Sequence, residues 1–186
     1  MSNGKLIVIS GASGVGKGTV LGLVMAKRKD LSFSVSATTR DPRPGEVDGK
    51  HYFFISKECF EEMIKNDEFL EYDAHAANYY GTLRGQAEAK MKKGHVLLDI
   101  EPKGAAQVRR AAPDAKLIFI MPPSMEELER RLRGRGDTPE EQITLRMERA
   151  VWEMEQRHWY DYVVVNDDAQ ACADEILNII SELEEQ

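Results

Sequence analysis

Nine consecutive residues, Gly11-Ala12-Ser13-Gly14-Val15-Gly16-Lys17-Gly18-Thr19, carry the densest chemistry in the chain. Glycines let a backbone fold so that its N–H groups converge on oxyanions, and a helix starting directly afterwards adds the positive end of its dipole. Lys17 brings a full positive charge to the outer phosphates of a nucleoside triphosphate. The common loop pattern has Ser or Thr directly after the lysine. Here that slot is Gly18, and Thr19, one position on, offers the hydroxyl.

Two carboxylates form a second candidate site, in Gly94-His95-Val96-Leu97-Leu98-Asp99-Ile100-Glu101. Ligands of open α/β sheets bind beyond the carboxyl ends of strands, where Asp99 and Glu101 are expected. Two apart on a strand, they would project to one face and could hold hydrated Mg²⁺ or accept hydrogen bonds from a substrate. Two ordinary exposed acids at a strand end would read the same way.

The cations divide into two groups. Arg130, Arg131 and Arg133 each follow a glutamate by four residues on one predicted helix, in the favourable orientation, and by themselves describe a solvated face. Arg135, between Gly134 and Gly136, and Arg146, with no acid at its helical neighbour positions, are free to meet developing phosphoryl charge. A further anion site is offered by Ser36-Ala37-Thr38-Thr39-Arg40-Asp41-Pro42-Arg43-Pro44-Gly45, where prolines fix the aim of Arg40 and Arg43 and Tyr52 and Tyr80 add phenolic donors. Without the glycine loop that segment would be a basic turn. Glu71, between Asp67 and Asp73, has the look of a solvated acid.

The elements that must position these residues are legible from periodicity. Leu6–Ser10, Val96–Leu98, Leu117–Met121 and Tyr162–Val165 are short, fully apolar runs separated by helical stretches, the pattern of a parallel sheet buried on both faces. A helix is expected over Thr19–Lys29. Ser124-Met125-Glu126-Glu127 and Thr138-Pro139-Glu140-Glu141 read as capping boxes, and Asp168 as the start of the last helix. From Phe33 to about Gly94 the pattern changes to short strands and turns, with Asp48-Gly49 ahead of Tyr52–Ile55 as an expected hairpin turn. Arg133–Thr138 is an expected mobile loop between helices.

Composition narrows the class. The 186 residues, 42% apolar and 31% charged, suffice for one domain burying roughly 70% of its unfolded surface. A net charge of -7 argues against a nucleic-acid polymer as partner, so anionic ligands must be met by local basic clusters. Two cysteines, Cys59 and Cys172, make no zinc site or disulfide framework. No run approaches the ~18 apolar residues of a membrane span, and the N-terminus lacks a secretory segment, so a cytoplasmic location is expected. His51, His75, His95 and His158 are scattered and read as structural or surface residues.

Together these pieces resemble the guanylate kinase family from about Leu6 to the last helix. The likeness is carried by Gly11–Thr19, Ser34–Arg40 with Pro42-Arg43, Gly45-Glu46 through Gly49-Lys50 and Asn78-Tyr79-Tyr80-Gly81-Thr82. Leu98-Asp99-Ile100, Pro122-Pro123-Ser124, Arg133–Gly136 and Val165-Asn166-Asp167-Asp168 continue it. The resemblance implies a single α/β P-loop domain over residues 1–186, with a central parallel sheet flanked by helices (core about 1–32, 95–125 and 150–186). A strand-rich GMP-binding insert (about 33–94) and a helical lid (about 126–149) complete it. It implies reversible transfer of the ATP γ-phosphoryl group to GMP, with Mg²⁺, in purine nucleotide metabolism. By the family pattern Arg40, Arg43, Tyr52 and Tyr80 hold the GMP phosphate, while Ser36, Glu71, Thr82 and Asp99 read guanine. Arg131, Arg135 and Arg146 surround the ATP phosphates with Lys17, and Asn166 lies near adenine. Thr19, Asp99 and Glu101 are candidates toward the metal, directly or through water. A homo-oligomer is compatible with all of this.

The chain departs from the pattern at Ala12, where proline is common, and at Lys103, where glutamine is usual. Another nucleoside monophosphate kinase would share the loop and lid but leave Ser36, Glu71 and Thr82 unexplained. A non-catalytic binding module of this type would usually lack the intact Gly11–Lys17 loop.

Overall fold

The computed structural model describes residues 4–75, 77–134 and 139–185. Strand β1 (Leu6–Gly11) leads into helix α1 (Lys17–Lys27), followed by β2 (Ser32–Phe33), β3 (Ser36–Thr38), β4 (Phe53–Phe54), α2 (Lys57–Lys65), β5 (Phe69–His75), β6 (Asn78–Leu83) and α3 (Arg84–Met91). The chain continues through β7 (Val96–Asp99), α4 (Pro102–Ala111), β8 (Lys116–Met121), α5 (Met125–Arg133), α6 (Glu140–Glu155), a 3₁₀ turn (Gln156–Trp159), β9 (Tyr162–Val165) and α7 (Ala169–Glu184). Among the described residues no helix is long and apolar enough to cross a membrane.

Five strands form a parallel sheet flanked by helices, in the order β2-β7-β1-β8-β9. This is the α/β class that the apolar runs predict: every residue of β1 is buried, as are Val96, Leu97 and Leu98 of β7. Four further strands form a second, mixed sheet, β4-β3-β6-β5.

The residues group into two compact units, one of Met1–Val8 and Asp30–Lys116 and one of Ile9–Lys29 and Leu117–Gln186. In the first unit the four-stranded sheet packs around Ala37, Phe60 and Phe69. The Phe60 ring stacks on Phe69 at 4.3 Å and on Tyr79 at 5.1 Å, so α2 supplies the central aromatic of this core. In the second unit α7 packs on α1 with Cys172, Ala173, Ile176, Ile179, Ile180 and Leu183 turned inward. Asp174 of α7 also pairs with Lys27, 2.5 Å away.

The capping signals at two helices are realised. Ser124 Oγ accepts the Glu127 N–H at 3.1 Å, and an Asp168 carboxylate oxygen accepts the Ala171 N–H at 2.8 Å. Ahead of α6 the N-cap is Pro139 rather than Thr138, which lies outside the described residues.

Three sequence expectations are corrected. Helix α1 begins at Lys17, two residues earlier than expected, because Gly16 takes a left-handed conformation (φ 92°) that ends the loop there. Asp48-Gly49 turns the chain but closes no hairpin. Gly49 has φ 72° and Asp48 accepts the Phe54 N–H at 2.9 Å, yet β4 pairs in parallel with β3. The residues before the turn include Pro42 and Pro44, which cannot donate to a ladder. Glu101, finally, lies off the strand: β7 ends at Asp99 and Glu101 is the N-cap of α4. Pro102 is the cause, since it opens a helix readily and holds the preceding residue extended.

Candidate functional site

In the second unit the glycine loop joins β1 to α1. Helices α2, α5 and α7 each start with a side chain accepting a backbone N–H, whereas α1 has no side-chain cap and no acid in its first turn. It opens instead with Lys17, a cation at the positive end of a helix dipole. An uncapped start carrying a lysine is unfavourable by itself and becomes favourable when an anion is bound.

The loop is held peptide by peptide. The Ala12 carbonyl accepts the Val15 N–H at 3.0 Å, and the Ser13 N–H donates to Glu153 Oε2 at 2.7 Å. The Val15 carbonyl accepts from Asn166 Nδ2 at 2.7 Å and from the Arg131 guanidinium at 3.2 Å. Gly14 (φ 90°) leaves no room for a side chain, since a Cβ there would sit 2.5 Å from a Leu132 methyl. Asn166 is buried, so its carboxamide braces the loop from the end of β9.

Arg131 has contacts beyond its own helix. It pairs with Glu127 at 2.7 Å as a helical i,i+4 partner, and it also donates to the Asn166 carbonyl at 2.9 Å. Arg130 pairs with the same Glu127, not with Glu126, and these two arginines hold the Glu127 carboxyl down at about 2. Arg133 pairs with Glu129 and Glu140. Arg135 lies outside the described residues. Arg146 is half-buried on α6 and makes no hydrogen bond or ion pair among the described residues. Thr19 is exposed in the first turn of α1.

In the first unit a cavity of about 280 Å³ brings together Ser36, Tyr52, Glu71, Tyr80 and Asp99 with Asp73, Glu101 and Gly104. Thr82 borders the adjoining cavity beside Ser36, Tyr52 and Asp99. Four carboxylates therefore face one cavity, which suits a ligand edge rich in hydrogen-bond donors.

Glu71 lines this cavity and is buried, although its acidic neighbours Asp67 and Asp73 give it the look of a solvated acid in the sequence. A bulge between Phe69 and Glu71 shifts the β5–β6 register, so that Glu71 sits opposite Thr82. The Thr82 hydroxyl donates to Glu71 Oε1 at 2.6 Å. With only 7% of the residue exposed, burial pushes the Glu71 carboxyl up to about 7; the Thr82 bonds oppose the rise, and the charges of Asp73 and Glu101 add to it.

Helix α4 supplies the remaining wall. A Cβ at Gly104 would come within 2.7 Å of Glu71 Oε2, so this glycine is what lets the carboxylate lie against the helix. Three residues on, the Gln107 carboxamide accepts the Tyr72 N–H at 3.2 Å and donates to the Tyr72 carbonyl at 2.8 Å. That pair ties α4 to the open edge of β5 and fixes the approach of Gly104. Neither residue carried a signal in the sequence beyond its type.

Arg40 lies across Tyr52, 5.5 Å from the ring centre, and forms a two-pronged pair with Glu46 at 2.9 and 3.0 Å. Glu46 also accepts the Arg43 N–H at 2.7 Å. The Arg40 guanidinium holds the Glu46 carboxyl down at about 2, with the Arg43 N–H as the second cause. Tyr80 packs edge-on against Tyr52 at 6.1 Å. Glu46 thus holds the guanidinium of Arg40 and the backbone of Arg43.

Known proteins resemble the chain along nearly its whole length. The family model for guanylate kinase matches residues 3–183. Guanylate kinase of Thermus thermophilus is 49% identical over 179 residues, 96% of this chain and 81% of that protein. That of Trichodesmium erythraeum is 51% identical over 168 residues, 90% of each. A crystal structure of guanylate kinase from Anaplasma phagocytophilum superposes with a TM-score of 0.77 at 33% identity, covering 100% of this chain and 89% of that one. With about half of its residues shared with such enzymes along nearly its whole length, the chain belongs to the guanylate kinase family and is a nucleoside monophosphate kinase.

Proposed function

We propose that the enzyme transfers the γ-phosphoryl group of MgATP to GMP, giving ADP and GDP. The observation that carries this reading is the buried Glu71–Thr82 pair in a cavity lined by carboxylates. Guanine presents an N1–H and an exocyclic amine on one edge, and a single carboxylate accepts both. Adenine has no such donor pair and would leave Glu71 buried without a partner for its charge. A buried polar site of that type discriminates by about 10⁴-fold or more.

Arg40, Arg43, Tyr52 and Tyr80 would hold the monophosphate, with Ser36 and Asp99 alongside the base. Lys17 and the loop N–H groups would cradle the ATP phosphates, with Arg131, Arg135 and Arg146 completing the cationic surround and Asn166 bordering the nucleotide. The hydroxyl of Thr19 and the carboxylates of Asp99 and Glu101 are hard oxygen donors that fit Mg²⁺, directly or through water. Held there, Mg²⁺ would neutralise phosphate charge and help orient the transferring group.

The acceptor oxygen of GMP is already anionic at neutral pH, so in-line attack needs no general base. Catalysis then rests on positioning and on charge neutralisation by Lys17 and the arginines. An ADP-release assay with MgATP and, in turn, GMP, AMP, CMP, UMP and dTMP tests the reading. Turnover confined to GMP is the expected result. Efficient turnover of another monophosphate would overturn the role given to Glu71, and none with any of the five would overturn the reaction.

A further inference from the structure

Glu153 is 2% exposed and points at the loop that the enzyme uses to bind a polyanion. A buried carboxylate is costly unless paired, and beside phosphates it adds repulsion. Its presence there calls for a compensating role, and its contacts indicate one. Oε2 accepts the Ser13 N–H at 2.7 Å, and Oε1 accepts from Arg149 Nε at 3.0 Å, one turn earlier on the same helix.

The Ala12–Ser13 peptide is thereby held at both ends, its carbonyl by the Val15 N–H and its N–H by Glu153. The second fixed peptide, Val15–Gly16, is held by Asn166 and Arg131. The glycines between and after these two points have the freedom to misdirect their N–H groups, and two fixed peptides remove much of it. Glu153 also sets where α6 meets the loop. Arg146 lies seven residues earlier, on the same helical face and about 10 Å along the axis.

We propose that Glu153 is a positioning residue of the phosphate-binding loop: by holding the Ser13 N–H it sets the aim of the loop toward the triphosphate and the seat of the helix that carries Arg146. The proposal rests on the reading that this loop holds MgATP. What matters on this view is an acceptor oxygen at the right reach, not the negative charge.

Two near-isosteric variants separate those alternatives. Glu153→Gln keeps the reach and an acceptor oxygen but loses the charge. Glu153→Asp keeps the charge and withdraws the oxygen by one methylene. MgATP affinity, measured by titration calorimetry without GMP, should stay within about threefold of wild type in the Gln variant and weaken about tenfold or more in the Asp variant. Turnover should follow the same order, with the GMP KM unchanged in both, since the Glu71 cavity belongs to the other unit. The reverse order, with Asp the better replacement, would show that charge pairing with Arg149 is what counts and would overturn the proposal. So would wild-type MgATP affinity in both variants, or loss of MgATP and GMP affinity in parallel. Failure of the wild-type enzyme itself to bind MgATP would instead remove the reading of the loop on which the proposal stands.

Discussion

Glu71→Gln should make the protein more stable and less able to use GMP, and the two effects should separate with pH. In the folded chain burial raises the Glu71 carboxyl from 4.5 to about 7. The folded state therefore holds this proton more tightly than the unfolded chain does. Stability is greatest at low pH, falls as pH rises from about 4.5 to about 7, and stays reduced above that. At about 1.4 kcal/mol for each pH unit of that interval, ionised Glu71 costs about 3 kcal/mol at pH 8. Glutamine keeps an oxygen for the Thr82 hydroxyl and carries no charge, so the cost disappears. Calorimetric Tm should be nearly equal for the two proteins at about pH 5 and about 5–10 °C higher for the variant at about pH 8.

The same substitution places a donor amide where guanine presents donors, and kcat/KM for GMP should fall about 10²–10³-fold. In the wild-type enzyme the GMP KM should rise as pH drops below about 7, because the protonated carboxyl cannot accept from both guanine donors. In the variant that dependence should vanish. A Tm difference that does not widen between the two pH values would refute the burial argument. GMP kinetics within tenfold of wild type would refute the base-reading role.

Three further substitutions test the surroundings. Gly104→Ala puts a methyl 2.7 Å from Glu71 Oε2 while favouring the α4 helix, so the GMP KM should rise about tenfold or more with helix content preserved. An unchanged GMP KM would show that the carboxylate can move without loss. Glu46→Gln loosens the two-pronged hold on Arg40 and should raise the GMP KM about tenfold while moving kcat less; equal losses in MgATP and GMP parameters would contradict that role. Lys17→Ala should lower turnover by about 10² or more with the GMP KM little changed, and normal turnover would remove Lys17 from the chemistry.

The parts of this enzyme that were legible in the sequence are those whose signal is local. The glycine loop, the apolar strand before it and the caps at Ser124 and Asp168 depend on neighbours a few residues away, and all were placed to within about two residues. Glu101 was misplaced although its own neighbour, Pro102, carried the correction. Glu71, Gly104, Gln107 and Glu153 are of another kind. Each matters through a partner remote in sequence: a bulge turns Glu71 toward Thr82, and α6 brings Glu153 to Ser13. No periodicity records such a meeting.

The same distinction explains how a chain of net charge -7 handles two anionic substrates. At the level of composition the acids look like an obstacle. In the structure Glu46 holds Arg40, Glu127 holds Arg131 and Glu153 holds Arg149 together with the Ser13 N–H. Each carboxylate fixes a cation or an amide at an element proposed to bind an anion, at the expense of part of its positive field. A guanidinium already fixed in direction loses less conformational freedom when a phosphate arrives, and it neutralises charge without first reorganising. The acidic balance is therefore part of how the positive groups are aimed: Glu46→Gln and Glu127→Gln should act on substrate binding more than on folding, whereas Glu153→Gln keeps its acceptor oxygen for the Ser13 N–H and should leave MgATP affinity nearly unchanged.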